Sequence, residues 1–211
     1  MEIDQYLYDL NEAGEAIVAY RMSAPDGGSV EVCNLGAAVL SWSVGGEDLG
    51  SGVAVRGLRG LQGSGLDNFG GVKFSELLWE SRVEVNRVVM SLSFESDGVG
   101  IMCEVIFDYD DDNTLEITYI YCTDADYEFD LTHNLTLAID SGEGLQMVEG
   151  HKKPILGYVG KSGKIEIYSS QPATYTTTGK TAMVDNAPFR EADVRYVAKS
   201  LFRIVDRPSA E

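Results

Sequence analysis

Apolar and polar residues alternate with a period of two through most of this chain, most cleanly from Tyr127 to Ile139, YEFDLTHNLTLAI. Phe129, Leu131, His133, Leu135, Leu137 and Ile139 fall on one side, and Asp130, Thr132, Asn134, Thr136 and Ala138 on the other, which is the pattern of a half-buried strand. Similar runs occupy 16–22 (AIVAYRM), 29–33 (SVEVC) and 37–44 (AAVLSWSV). The Pro-Asp-Gly-Gly cluster in 23–28 suits a hairpin turn, and Asn34-Leu35-Gly36 breaks the next run. From Leu77 onward, LLWESRVEVN, RVVMSLSFES, GIMCEVIFDYD and TLEITYIYCTD follow one another with short polar turns and lead into the 127–139 strand. These five consecutive strands predict one large antiparallel sheet. KIEIYSS (164–170), TYTTTGK (174–180) and YVAKSLFRIV (196–205) add further strands, whereas 184–195 reads as irregular. No helical period of useful length interrupts them, so the expected class is all-β, a large antiparallel β-sandwich, with residues 1–211 as a single domain.

Two stretches stand apart. Residues 45–73 are rich in glycine and poor in bulky apolar residues, the composition of a long loop whose backbone can approach a ligand closely. Residues 140–163, holding the second histidine, His151, read as a mixed loop.

Composition narrows the partners. Hydrophobic residues at 44% supply enough apolar surface for a sizeable core. Sixteen basic against 34 acidic residues leave a net charge of −18, a field that repels phosphate backbones and anionic lipid, so nucleic acid and membrane surface are not expected partners. A neutral small-molecule sugar is not penalised. The N-terminal MEIDQYLYDLNEAGEAIV lacks the basic and apolar regions of a signal peptide, which leads to the expectation of a soluble, cytoplasmic protein. Cys33, Cys103 and Cys122 are isolated in apolar strand-like segments and read as buried thiols. Neither metal-ligand spacing nor the Gly-rich and GxSxG signatures of nucleotide binding and serine hydrolysis occur, so no cofactor is expected. The acidic run DYDDDN (108–113) lacks EF-hand spacing and reads as a solvated turn. What remains is acid-base work by carboxylates and histidine, or binding alone. His133 lies on the apolar side of its strand, which favours a core histidine over a catalytic one.

Several segments, in order, resemble the aldose 1-epimerase (galactose mutarotase-like) family. NLGAAVLSW (34–42) is similar to its N-terminal strand, NFGGVKFSELLW (68–79) to its Leu-His-Gly-Gly motif and following tryptophan, and FDLTHNLTLAI (129–139) to its Asn-Leu-Thr-Asn-His-Ser-Tyr-Phe-Asn-Leu strand. SSQPATYTTTG (169–179), NAPF (186–189) and the spacing of Tyr196, Phe202 and Ile204 are similar to its later segments. The resemblance implies a β-sandwich supersandwich fold, here shortened mainly between Ile139 and Lys164. It also implies an isomerase without metal or nucleotide cofactor, in which a glutamate takes the anomeric hydroxyl proton while a histidine protonates the ring oxygen. Such assistance contributes about 10² to 10⁴ in rate.

Carried over by residue, the catalytic positions are altered. The first histidine falls on Phe69 and the acid histidine on Asn134, with His133 one position away on the opposite face. The glutamate falls on Val194, with Asp193 and Glu191 nearby. An active enzyme would need His133 as acid, swung over by a bulge near Asp130, and Asp193 or Glu191 as base. A binding or regulatory protein on the same scaffold would use Asn68, Phe69, Trp79, Asn134 and Arg59 to bond and stack a sugar ring. A β-sandwich acting through protein contacts is the third reading, and a shortened sandwich leaves room for a homo-oligomer.

Overall fold

The computed structural model describes residues 1–44, 47–50, 61–63, 74–96, 98–128, 131–136, 155–159, 163–170, 173–176, 180–184 and 189–205. All sheet pairings are antiparallel. A five-stranded sheet runs in sequence order: β1 (Glu2–Leu10), β2 (Ala16–Ser23), β3 (Ser29–Cys33), β4 (Ala38–Val44) and β5 (Glu47–Gly50). A four-stranded sheet contains β6 (Leu61–Gly63), β12 (Leu131–Thr136), β15 (Ala173–Thr176) and β16 (Lys180–Val184), in the order β15-β16-β12-β6.

The seven-stranded sheet is built around a meander of β7 (Glu80–Glu84), β8 (Arg87–Ser96), β9 (Val99–Tyr109) and β10 (Leu115–Thr123). It continues with β18 (Tyr196–Val205), β14 (Gly163–Ser169) and β13 (Ile155–Val159), giving the order β13-β14-β18-β10-β9-β8-β7. A two-stranded pair joins β11 (Tyr127–Glu128) to β17 (Phe189–Arg190).

Period-two patterning explains how the large sheets meet. On β9, Ile101, Cys103, Val105, Phe107 and Tyr109 are buried, while the intervening Met102, Glu104, Ile106 and Asp108 lie on the other face. The buried set pairs in register with Leu115, Ile117, Tyr119, Tyr121 and Thr123 of β10. Together they pack against Tyr20, Met22, Val30, Val32 and Trp42 of the five-stranded sheet in one continuous core, with Trp42 meeting Phe202 edge-on at 6.3 Å. A smaller cluster of Ile17, Ala19, Cys33, Ala38 and Leu40 lies on the other side of that sheet, so its central strands are buried on both faces.

Two polar fastenings hold the layers in register. Asn34 is buried, and its carboxamide accepts from the Val18 amide at 2.8 Å, while its backbone carbonyl accepts from the Trp79 amide at 2.8 Å. Gly36 donates to the Leu77 carbonyl at 2.8 Å, completing the attachment of 77–79 to the β3–β4 turn. At the far end, Asn113 in the β9–β10 turn donates to Asp26 at 2.7 Å and accepts from the Tyr109 hydroxyl at 2.5 Å. Of the run 108–113 read as a solvated turn, only Asp110 to Asp112 are exposed, with Asp110 Oδ1 accepting from the amides of Asp112 and Thr114; Asp108 and Tyr109 end β9, and Tyr109 and Asn113 are buried because they bond each other.

Several expectations change. The 127–139 strand does not extend the meander: β10 is flanked by β18, and β12 lies in the four-stranded sheet between β16 and β6. The alternating strand pattern specifies a pleat and a buried face, but not which neighbour supplies the hydrogen bonds. Strands β5 and β6 occur within the glycine-rich stretch, β13 within the mixed loop and β17 within 184–195. The 174–180 run divides into the end of one strand and the start of another, with Thr176 paired to Lys180. Edge strand β1 was not visible in the pattern because most of its residues are exposed. Among the described residues, no helix is long and apolar enough to cross a membrane.

Cys33 and Cys103 are buried free thiols, and burial pushes their pKa values up to about 11 and about 12 respectively, whereas Cys122 is half-buried. At pH 8 the first two therefore stay protonated and enclosed. A disulfide-exchange reagent such as DTNB is expected to titrate one thiol rapidly in the native protein and all three in denaturant; rapid native reaction of three would contradict this packing. A second prediction concerns Gly28, where an added Cβ would fall 1.5 Å from Asn113 Oδ1, a side chain already held by Tyr109 and Asp26. Gly28→Ala should cost about 1–3 kcal/mol in denaturant unfolding, and an unchanged midpoint would show that the two hairpins are not locked as described.

Candidate functional site

Two chain segments meet at one end of the seven-stranded sheet, and their meeting creates the described site. The first is the β10–β11 connection, Thr123 to Asp126; the second is the turn from Glu191 to Arg195 between β17 and β18. Strand pairing brings them together, because Tyr127 faces Arg190 and Glu128 faces Phe189. Side bonds then fasten them: the Asp193 amide donates to the Thr123 carbonyl at 2.7 Å, the Ala192 amide to Asp126 Oδ1 at 2.9 Å, and the Glu191 amide to the Tyr196 hydroxyl at 3.0 Å.

Arg190 anchors the turn from inside. It is 0% exposed, and its guanidinium lies 5.0 Å from the ring centres of both Tyr121 and Tyr196. Those rings are nearly parallel, with centres 5.6 Å apart. Tyr121 and Tyr196 are directly paired across β10 and β18, so one cation bridges neighbouring strands at the point where the turn begins. The turn itself closes with the Val194 amide donating to the Glu191 carbonyl at 3.3 Å. Its third residue, Asp193, has φ +61°, the left-handed conformation that glycine or asparagine normally supplies in a type II turn. For an aspartate this conformation is uncommon and carries strain.

Beside the turn lies an open cleft of about 480 Å³. Its lining is Ser93, Phe94, Gly100, Ile101, Met102, Cys122, Thr123, Asp124 and Asp193. Met102, 49% exposed, adds apolar surface at the cleft. Asp124 is held through Gly100, whose amide donates to Asp124 Oδ1 at 2.8 Å and whose carbonyl accepts from the Asp124 amide at 3.1 Å. A Cβ on residue 100 would come within 2.6 Å of Asp124 Oδ2, so glycine there is what allows the carboxylate to settle so close to the backbone. Thr123 is 1% exposed, and its hydroxyl has no hydrogen-bond partner. On the adjoining sheet face, Arg195 approaches Glu104 at 3.9 Å, and Arg82 reaches both Glu84 and Glu104 at 2.9 and 2.8 Å. Among the described residues, no three His, Cys, Asp or Glu side chains group as metal ligands.

The sequence candidates distribute unevenly. Asp193 lines the cleft, and Glu191 is exposed at the start of the same turn. His133 pairs with Met183 on one side and Leu61 on the other, and Asn134 pairs with Ala182. No register shift interrupts β12 between Leu131 and Thr136, so positions 133 and 134 belong to opposite faces of the four-stranded sheet. The bulge considered near Asp130, together with Asn68, Phe69, Arg59 and His151, falls outside the described residues. Trp79 is a core residue, 2% exposed, with its indole N–H donating to the Phe74 carbonyl at 3.4 Å. It supports the cleft at one remove, packing edge-on against Phe74, which packs edge-on against Phe94. Sequence reasoning missed Asp124, Thr123 and Arg190. Their signals were weak: an aspartate just past a strand end, and an arginine between an aromatic and an acidic residue in a stretch read as irregular.

No family model matches the sequence, and no curated protein sequence matches it. Solved structures do match. A galactose 1-epimerase from Lactobacillus acidophilus is 10% identical, with 97% of this chain and 98% of that chain covered and a TM-score of 0.67. A GalM/aldose epimerase homologue from Caenorhabditis elegans, also 10% identical, covers 89% of this chain and 98% of its own with a TM-score of 0.68. A 4-alpha-glucanotransferase from Thermococcus litoralis is 14% identical over 97% of this chain but only 40% of its own length, with a TM-score of 0.64. This chain therefore has a galactose mutarotase-like β-sandwich fold.

Proposed function

We propose that this protein binds a monosaccharide in its pyranose form on a mutarotase-like scaffold, with Asp193 accepting a ring hydroxyl. The observation that carries this reading is the position of Asp193, one of the residues expected from sequence, in a cleft that combines apolar surface with acceptors. A pyranose offers apolar C–H faces and a rim of hydroxyls, and such a lining matches both. Strain supports the same reading, because a turn that glycine or asparagine would form at lower cost carries an aspartate instead.

A second reading, anomer interconversion, is favoured specifically by that carboxylate. Asp193 would take the anomeric proton and His133 would protonate the ring oxygen. The regular register of β12, with the family acid position occupied by Asn134, weighs against it.

Polarimetry of freshly dissolved α-galactose and α-glucose, combined with ligand-observed NMR, separates the two. The expected result is binding of at least one sugar with a mutarotation rate equal to that of buffer. Acceleration by wild type that falls by about 10² to 10⁴ in His133→Ala would replace binding with catalysis. Absence of binding to both sugars would remove this proposal. Asp193→Asn should weaken binding by about fivefold, as a charge-assisted bond becomes a neutral one, while leaving the thermal midpoint unchanged or higher, because asparagine tolerates the left-handed conformation well. A fall in both quantities would mark Asp193 as structural.

A further inference from the structure

We infer that the outer face of the seven-stranded sheet is a self-association surface, on which a second copy of this chain docks to form a two-fold dimer. The inner face of that sheet meets the core, and the central strands of the five-stranded sheet are buried on both faces. On the outer face, Val89, Thr118 and Ile120 are buried, Ile106, Tyr168 and Leu201 are half-buried, and Met102 and Val197 are exposed. Seven strands of five to eleven residues, about 4.8 Å apart and rising about 3.4 Å per residue, cover roughly 900 Å². A stable interface takes about 800 Å² from each partner, so the face is large enough.

Charge singles it out in this chain. Arg82, Arg87, Arg195, Lys199 and Arg203 stand there against Glu80, Glu84, Glu104, Asp108, Glu116 and Glu166, so five cations meet six carboxylates in a chain of net charge −18. Acidic surfaces of two copies repel, and at physiological salt that repulsion is confined to about 8 Å, so a nearly neutral face is where like copies can close. The charges are also sorted by strand. β18 points Lys199 and Arg203 outward with Arg195 just before it, whereas β9 and β10 point out Glu104, Asp108 and Glu116. A two-fold axis lying along the strands between β10 and β18 sets β18 of each copy over β10 of the other. Glu116 is paired with Leu201, so Glu116 of one copy then comes to the height between Lys199 and Arg203 of the second. An axis across the strands would instead stack cations of β18 on cations. The charges therefore set the orientation, and the apolar residues between them supply the contact.

Sedimentation equilibrium across micromolar concentrations, combined with charge reversal, tests this. Wild type is expected to form a concentration-dependent dimer that weakens near 1 M salt, where screening reaches within about 3 Å. Lys199→Glu/Arg203→Glu and Glu116→Lys, each alone, should weaken association by about tenfold or more, because like charges now face each other across the axis. Mixed in equal amounts, the two variants should recover it as a heterodimer: the reversed β18 of one lies over the reversed β10 of the other, and native lies over native. Val197→Glu, at an exposed position, should weaken the dimer by about tenfold without altering the sheet, and wild-type thermal midpoints measured on every variant separate dissociation from unfolding. A monomer at every concentration would overturn the inference and leave the face to a different partner. A dimer indifferent to the reversals, or a mixture no more associated than its components, would overturn it as well.

Discussion

A guanidinium removed from water is costly unless its surroundings return part of the lost solvation, and much of the site depends on how Arg190 is accommodated. Two tyrosine faces provide part of that environment, and these tyrosines are directly paired residues of adjacent strands. The cation therefore ties the end of β10 to the start of β18 and fixes where the intervening turn leaves the core. Tyr196 contributes twice, through its ring to Arg190 and through its hydroxyl to the Glu191 amide. Asp193 reaches the cleft because every residue from 190 to 193 has an attachment: Arg190 to the two rings, Glu191 to Tyr196, Ala192 to Asp126 and Asp193 to Thr123.

The cleft and the core are linked by aromatic packing. Phe94 lines the cleft, Phe74 stands behind it, and Trp79 stands behind Phe74 with its backbone attached to Asn34. A buried asparagine at the end of the central strand of the five-stranded sheet thus helps set the wall of a cleft on the seven-stranded one. Carboxylates presented by anchored backbone over a packed aromatic wall need little reorganisation to receive a ligand, which is how preorganisation favours binding.

Strands with a buried face were readable in the chain because burial imposes a period of two: 29–33, 87–96 and 196–205 have the same bounds in the sequence reading and in the structure. Strand partners were not readable, since one alternating pattern fits any sheet of the same pleat, and the described parts of the 127–139 stretch, β11 and β12, accordingly lie in two sheets other than the one expected. The site was legible only in part. Asp193 stood out through family order, but Asp124 and Thr123 matter because Gly100, more than twenty residues earlier, runs beside them, and that adjacency exists only once β9 and β10 have paired. Arg190 was hidden for a related reason: a lone arginine in an irregular stretch looks solvated until two tyrosines from separate strands close over it.

The placement of β18 also bears on assembly. It lies between β14 and β10, and its inward residues, among them Ala198 and Phe202, belong to the core shared by the two large sheets. Strands β7 to β10 can zip as successive hairpins, but the sheet stays divided until the segment after residue 195 inserts between its halves. That segment follows the other described strands in the chain, and closing so long a loop is slow compared with forming hairpins. The meander must wait with one edge unpaired, exposed to other nascent chains, and the cleft, whose turn directly precedes β18, is completed only when that gap is filled.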